Sequence, residues 1–161
     1  MARSSGEAGT VVSVNISRTK GVRKAPVAGC CVVPGLGLEG DAHAGDGHRQ
    51  VSLLALESIQ KMRDVGCDVG PGDFAENITT SGLELVSLPI GTVLRVGAGA
   101  RLEVSQIGKI CHDRCSIFEQ AGDCVMPREG IFARVLAGGP LRPGDRVEVE
   151  SLPDDKEKDH A

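Results

Sequence analysis

Cys111-His-Asp-Arg-Cys115, directly after Lys109-Ile110, concentrates more reactive chemistry than any other stretch of this chain. A cysteine attacks sulfur or binds metal as its thiolate, and nearby positive charge lowers the pKa at which that thiolate forms. Lys109, His112 and Arg114 stand within three residues of Cys111 and can each favour the anion. Three readings of Cys111 follow: sulfur carrier, metal ligand, or small buried apolar group. Cys111 and Cys115 lie four apart, on one face if the segment is helical. Three residues separate them, rather than the two of a thioredoxin-like redox pair. Cys124 follows nine positions later, so Cys111, His112, Cys115 and Cys124 form a possible zinc set, though of irregular spacing.

A second polar cluster, Asp41-Ala-His43-Ala-Gly-Asp46-Gly-His48-Arg49, separates two strand-like runs. It reads as an anion or substrate loop in which His43 and Arg49 donate and glycine amides assist. A metal site from His43, Asp46 and His48 matches no specific zinc pattern. The preceding Gly35-Leu-Gly37-Leu-Glu-Gly40 fits the dinucleotide-binding pattern literally, but no helix opens within it to meet a pyrophosphate. These glycines are turn formers. Arg128 and Arg134 carry the forked guanidinium suited to phosphate or carboxylate. In Phe74-Ala-Glu76-Asn77-Ile78, read as a strand, one of Glu76 and Asn77 must point inward and needs a partner or a ligand there.

The elements that would position these groups are short. Val11–Ile16, Cys30–Val33, Gln50–Leu54, Thr92–Val96, Arg101–Ser105 and Arg146–Glu150 read as further strands by β-branched content or alternation. Gly97-Ala-Gly99 is a hairpin connection. Leu56, Ile59 and Met62 recur at helical spacing, so a helix runs from about Ala55 to Val65 and ends at Gly66. Two more short helices are expected around Arg114–Gln120 and Ile131–Leu136. The predicted fold is mainly β: a closed or nearly closed barrel of about seven or more short strands with two or three short helices, which leaves no open edges.

The 161 residues suffice for one domain with its own core. Residues 10–151 form that domain, between a small polar tail at 1–9 and a charged tail at 152–161. Hydrophobic residues make up 40% of the chain, yet there are three Phe and no Trp or Tyr, so the core must be aliphatic. With 22 Gly and 8 Pro, tight turns outweigh long helices. A net charge of −4 gives no electrostatic reason to expect nucleic acid as partner. No run approaches membrane-spanning length and no secretory signal opens the chain, so the expected location is cytoplasmic. There, six cysteines are reactive, metal-bound or buried rather than paired. Cys30, Cys31 and Cys67 read as buried.

Taken in order, Gly40-Asp-Ala-His-Ala-Gly45, Arg49-Gln-Val-Ser-Leu-Leu54, Pro71-Gly-Asp-Phe-Ala-Glu-Asn-Ile78, Leu88-Pro-Ile-Gly-Thr92, Leu102-Glu-Val-Ser-Gln106, Cys111 and Gly130-Ile-Phe-Ala-Arg134 resemble the MOSC domain. That family is named for the C-terminal part of molybdenum cofactor sulfurases, and the likeness is to its standalone bacterial type. It covers roughly Val11 to Glu150. The resemblance implies a β-rich barrel of the pyruvate-kinase-barrel kind and a role in handling molybdenum cofactor, with Cys111 at the position of the family's proposed persulfide-forming cysteine. It departs from the family in Ile110 and His112 and in the added Cys115 and Cys124. It further implies a sulfurtransferase-type activity that depends on a partner cysteine desulfurase, since the chain is too short to hold the pyridoxal-phosphate domain of the fused sulfurases. A molybdoenzyme client or a cofactor biosynthesis protein would receive the product. On this reading Lys109 and His112 favour the Cys111 thiolate, and Cys115 releases the sulfur by exchange or protects the site. His43, Arg49, Arg128 and Arg134 meet the cofactor's phosphate and pterin edges, and Asn77 reads the pterin. A rival expectation is a non-catalytic module that binds or delivers the cofactor, with Cys111 as a molybdenum ligand. A zinc-stabilised adaptor is the third.

Overall fold

The computed structural model describes residues 8–18, 24–41, 50–107 and 129–153. Eleven strands are described: β1 (Ala8–Ile16), β2 (Ala25–Val27), β3 (Cys30–Val33), β4 (Gly37–Leu38), β5 (Val51–Ala55), β6 (Ile78–Ser81), β7 (Val93–Val96), β8 (Ala100–Ile107), β9 (Ile131–Ala137), β10 (Gly139–Leu141) and β11 (Arg146–Ser151). One α-helix, α1 (Leu56–Asp64), and one 3₁₀ turn (Leu85–Ser87) accompany them.

Seven strands close a barrel in the order β11-β7-β8-β9-β5-β6-β1, and β1 returns to β11. Closure works because β1 has two partners along one edge. Its first half pairs with β11 (Ala8 opposite Glu148), and its second half pairs with β2 (Val14 opposite Val27). A register shift between Val11 and Ser13 on its other edge lets the strand bend as it changes partners. Strands β10, β3 and β4 form a separate three-stranded antiparallel sheet.

Alternation explains the core. In β8, Leu102 and Val104 point inward, and in β11 Val147 and Val149 do the same. The barrel interior is filled almost wholly by Val, Leu, Ile and Ala, as the composition requires. Strand β5 differs, because all five of its residues are buried. Leu53 faces the barrel core, while Leu54 faces a satellite cluster with Ile59 and Met62 of α1, Phe74 and Phe132. The two described phenylalanines thus lie outside the barrel, under the helix. β5 and β6 run parallel, Leu53 opposite Ile78, so the chain must cross over between them, and α1 does so.

Two sequence expectations are corrected. Ile131–Leu136 is not a helix but most of β9, paired with β5 on one side and β8 on the other. Its residues alternate, with Ile131, Ala133 and Val135 in the barrel core and Arg134 and Leu136 exposed. Two flanking ladders outweigh the weak helical preference of so short a run. Phe74–Asn77 is not strand but a turn that precedes β6. Gly72 and Ala75 both take positive φ (89° and 63°), outside the extended region, and for a residue with a side chain such as Ala75 that breaks a strand. A side chain at Gly72 would collide with the Lys24 carbonyl, so the turn there is tied to glycine. The helix expected around Arg114–Gln120 lies outside the described residues. The 3₁₀ turn was not anticipated.

Candidate functional site

The two chemistry-bearing segments of the sequence fall on residues outside the described set, but their flanking residues are described. His43 and Arg49 belong to 42–49, between Asp41 and Gln50. Lys109, Cys111, His112, Cys115, Cys124 and Arg128 belong to 108–128, between Ile107 and Glu129. Three of these four flanks, Asp41, Gln50 and Glu129, are held by their polar side chains.

Asp41 Oδ1 accepts from Lys24 Nζ at 2.8 Å and from the Ser17 amide at 3.0 Å. Both side chains of this ion pair are almost fully withdrawn from water, at 1% and 0% exposed. Burial alone would raise the Asp41 pKa. The bonds from Lys24, Ser17 and the Asn77 side chain outweigh it and hold the carboxyl below the usual range. At the other end of the same segment, Gln50 Oε1 accepts from the Val135 amide at 3.0 Å. Glu129 is held from α1: Ser58 Oγ donates to its Oε1 at 2.6 Å, and Lys61 Nζ lies 3.0 Å from its Oε2.

Gln50 precedes β5, whereas Glu129 contacts the helix that follows β5. Gln50 and Glu129 therefore stand at opposite ends of one five-residue strand, roughly 16 Å apart at ~3.3 Å per residue.

Around Asp41 the fold buries a dense polar network. Ser13 Oγ donates to Asn15 Oδ1 (2.6 Å), Asn15 Nδ2 to Thr79 Oγ1 (3.1 Å), and Thr79 Oγ1 to Glu76 Oε2 (2.7 Å). The Gly72 amide also donates to Glu76 Oε2, at 3.0 Å. Glu76 Oε1 is buried and has no hydrogen-bond partner among the described residues. Burial pushes the Glu76 pKa up, only partly offset by the Gly72 and Thr79 bonds, which favours a neutral carboxyl.

Asn77, the described member of the predicted cofactor set on this network, is fully buried. Its Oδ1 accepts from the Ser52 amide at 3.0 Å, and its Nδ2 donates to the Asn15 carbonyl at 3.2 Å. Its side chain thus joins β1 to β5. Of Glu76 and Asn77, which the sequence reading expected to divide between inside and outside, both are buried, because they sit in the turn before β6. Arg134 projects from the outer face of β9, half exposed, with Nε 4.0 Å from Glu103 Oε1 across the strand pair. The structure does not bring Arg134 and Asn77 together, since one lies on the barrel's outside and the other is enclosed.

Of the three thiols read as buried, Cys67 is buried and Cys30 half-buried, whereas Cys31 is exposed, a correction that follows from its outward place in β3. The Cys30 pKa is pushed up to about 11 by burial, then by Cys31, Asp41 and Glu39, so it stays a thiol at neutral pH. Among the described residues no three His, Cys, Asp or Glu side chains group as a metal site. Lys24, Lys61, Arg101, Arg134 and Arg146 each face a carboxylate. These five therefore offer no uncommitted charge to a phosphate-bearing cofactor, whose anion needs cations not already neutralised. The zinc set Cys111, His112, Cys115 and Cys124 lies outside them.

Sequence reasoning missed Lys24 and the Ser58–Lys61 hold on Glu129. Nothing local marks Lys24, which is 17 residues from its partner. Ser58 and Lys61 are three apart on a helix, a visible signal, but Glu129 is 71 positions from Ser58. Among the described residues no helix is long and apolar enough to cross a membrane.

Comparison with known proteins places this architecture. The family model described as MOSC domain matches residues 39–148. Solved structures share the fold. The YuaD protein from Bacillus subtilis superposes with a TM-score of 0.74 at 19% identity, over 88% of this chain and 94% of that one. YiiM from Geobacillus stearothermophilus gives 0.65 at 24% identity, over 88% and 75%. YiiM from Escherichia coli gives 0.62 at 20%, over 92% and 71%. At these identities the likeness is one of fold. No curated protein sequence matches significantly.

Proposed function

Because this chain belongs to the MOSC domain family, a molybdenum-cofactor-related family, we propose that it carries sulfur in the maturation of that cofactor, with Cys111 as the persulfide-forming thiol. The observation that supports this reading is the extent of the family match. Residues 39–148 take in Cys111 together with the strands β5 to β9, from which the 108–128 segment departs and to which it returns.

The step is a thiol–persulfide exchange. The Cys111 thiolate attacks the outer sulfur of a persulfide on a partner cysteine desulfurase, forming a new S–S bond as the donor's own S–S bond breaks and its cysteine leaves as thiolate. No external oxidant is needed, because the sulfane sulfur is transferred already oxidised. Lys109 and His112 favour the attacking anion. Arg128, on the same segment, and His43 and Arg49, on 42–49, are the cations proposed to meet the cofactor. A connection of 21 residues between Ile107 and Glu129 has ample contour length to cross the ~16 Å between Gln50 and Glu129.

The test is mass spectrometry of the intact protein and its Cys111 peptide after incubation with a cysteine desulfurase and cysteine. A gain of one sulfur on Cys111, absent from Cys111→Ser, is the expected result. Retention of the cofactor without any sulfur gain would replace the carrier with a binding module. Stoichiometric zinc in the purified protein would favour the adaptor.

A further inference from the structure

A cavity of about 580 Å³ opens where β5 and β6 end and α1 begins. Its size is that of small-molecule sites, which run from about 300 to 1,000 Å³. The floor is apolar and buried, built from Ala55, Leu83 and Leu85. The rim is charged. Among the described residues, three carboxylates, Glu57, Glu84 and Glu129, stand against one ammonium, Lys61, leaving an excess of two negative charges.

Those charges are not equivalent. Lys61 is committed to Glu129 at 3.0 Å, and Ser58 donates to the same carboxylate. Glu57 Oε2 accepts from the Gly82 amide at 2.9 Å. The Glu84 carboxylate has no partner among the described residues and lines the opening. The start of α1 contributes the opposing field, equivalent to only about half a positive charge. The negative excess wins, so an anion is disfavoured and a cation is favoured above an apolar floor.

We propose that this cavity binds a small organic cation, a primary amine with an apolar body, whose ammonium meets Glu84 while its body covers Leu83 and Leu85. The proposal is independent of sulfur transfer, and its test uses no sulfur donor.

Benzylamine, benzyl alcohol and benzoate share a ring and differ in charge at pH 7. Each would be titrated into the full-length protein, followed by backbone amide NMR. The expected result is saturable movement of the Gly82, Leu83 and Leu85 signals with benzylamine, at an affinity about fivefold above that of benzyl alcohol, the gain one exposed ion pair supplies. Benzoate should bind more weakly than either. Glu84→Gln, a rim substitution that leaves the core intact, should reduce the amine preference to less than about twofold while benzyl alcohol still binds. Equal binding of all three, a preference for benzoate, movement confined to other parts of the protein, or no movement would each overturn the proposal.

Discussion

Lys24 and Asp41 place opposite charges in contact where water does not reach. Such a pair gives little net stability, because the desolvation of two ions offsets most of their attraction. Removing one partner is far more costly than removing both. Lys24→Met is expected to destabilise the protein by about 3–5 kcal/mol, and the double variant Lys24→Met with Asp41→Leu to recover most of that loss. Urea denaturation of the three proteins checks this. Glu76 tests burial differently. Its folded pKa is raised, so the unfolded chain releases its proton near the ordinary value of 4.5 while the folded chain still holds it. The stability it contributes is therefore fully present below that value and is lost as pH rises through the folded one. Glu76→Gln cannot titrate. At pH 4 the variant should be less stable by about 1–3 kcal/mol, since its amide hydrogens meet an enclosed space that held an unbonded oxygen. The gap should then narrow steadily as pH is raised, as denaturation at pH 4, 6 and 8 will read.

At the scale of elements, β9 is the instructive case. Ile131-Phe-Ala-Arg134-Val-Leu reads as a short helix in isolation and is a strand in the barrel, because β5 and β8 offer hydrogen bonds along both of its edges. Alternation then assigns each residue a face. Ala133→Gln, which forces an amide into the aliphatic interior, should cost more than about 2 kcal/mol, whereas Arg134→Gln on the outer face should stay within about 0.5 kcal/mol. Comparison of their urea midpoints reads which face of β9 each residue occupies. The turn at Gly72–Asn77 follows the same logic. Its alternating residues suggest a strand, but the Pro71-Gly72 start places the backbone in conformations that delay β6 until Ile78. Strands Cys30–Val33 and Arg101–Ser105, by contrast, appear where β-branched content in the first and alternation in the second put them. The helix from Leu56 also matches, because its apolar residues at 3-residue spacing cover the outer face of β5.

For the whole molecule, the decisive contact is β1 with β11, 140 positions apart at Ala8 and Glu148. It turns a sheet with two open edges into a barrel with none. A chain truncated after Pro143 would lose β11 and expose the edges of β1 and β7. Such a chain should aggregate or associate where the full protein does not, as size-exclusion chromatography at matched concentration will show.

The sequence by itself determined the aliphatic core, the many-stranded class, the helix that follows Ala55 and the membership signalled by an ordered set of motifs. Each of these depends on local spacing or on composition, and needs no knowledge of distant partners. Tertiary structure decided which half of β1 meets which strand, that Ile131–Ala137 is extended, and that Asn77 and Glu76 are enclosed while Arg134 faces outward. It also set Lys24 against Asp41 and Ser58 against Glu129. These outcomes arise from pairings across 17 to 140 positions, where the energy of a contact is shared between residues that no local pattern relates.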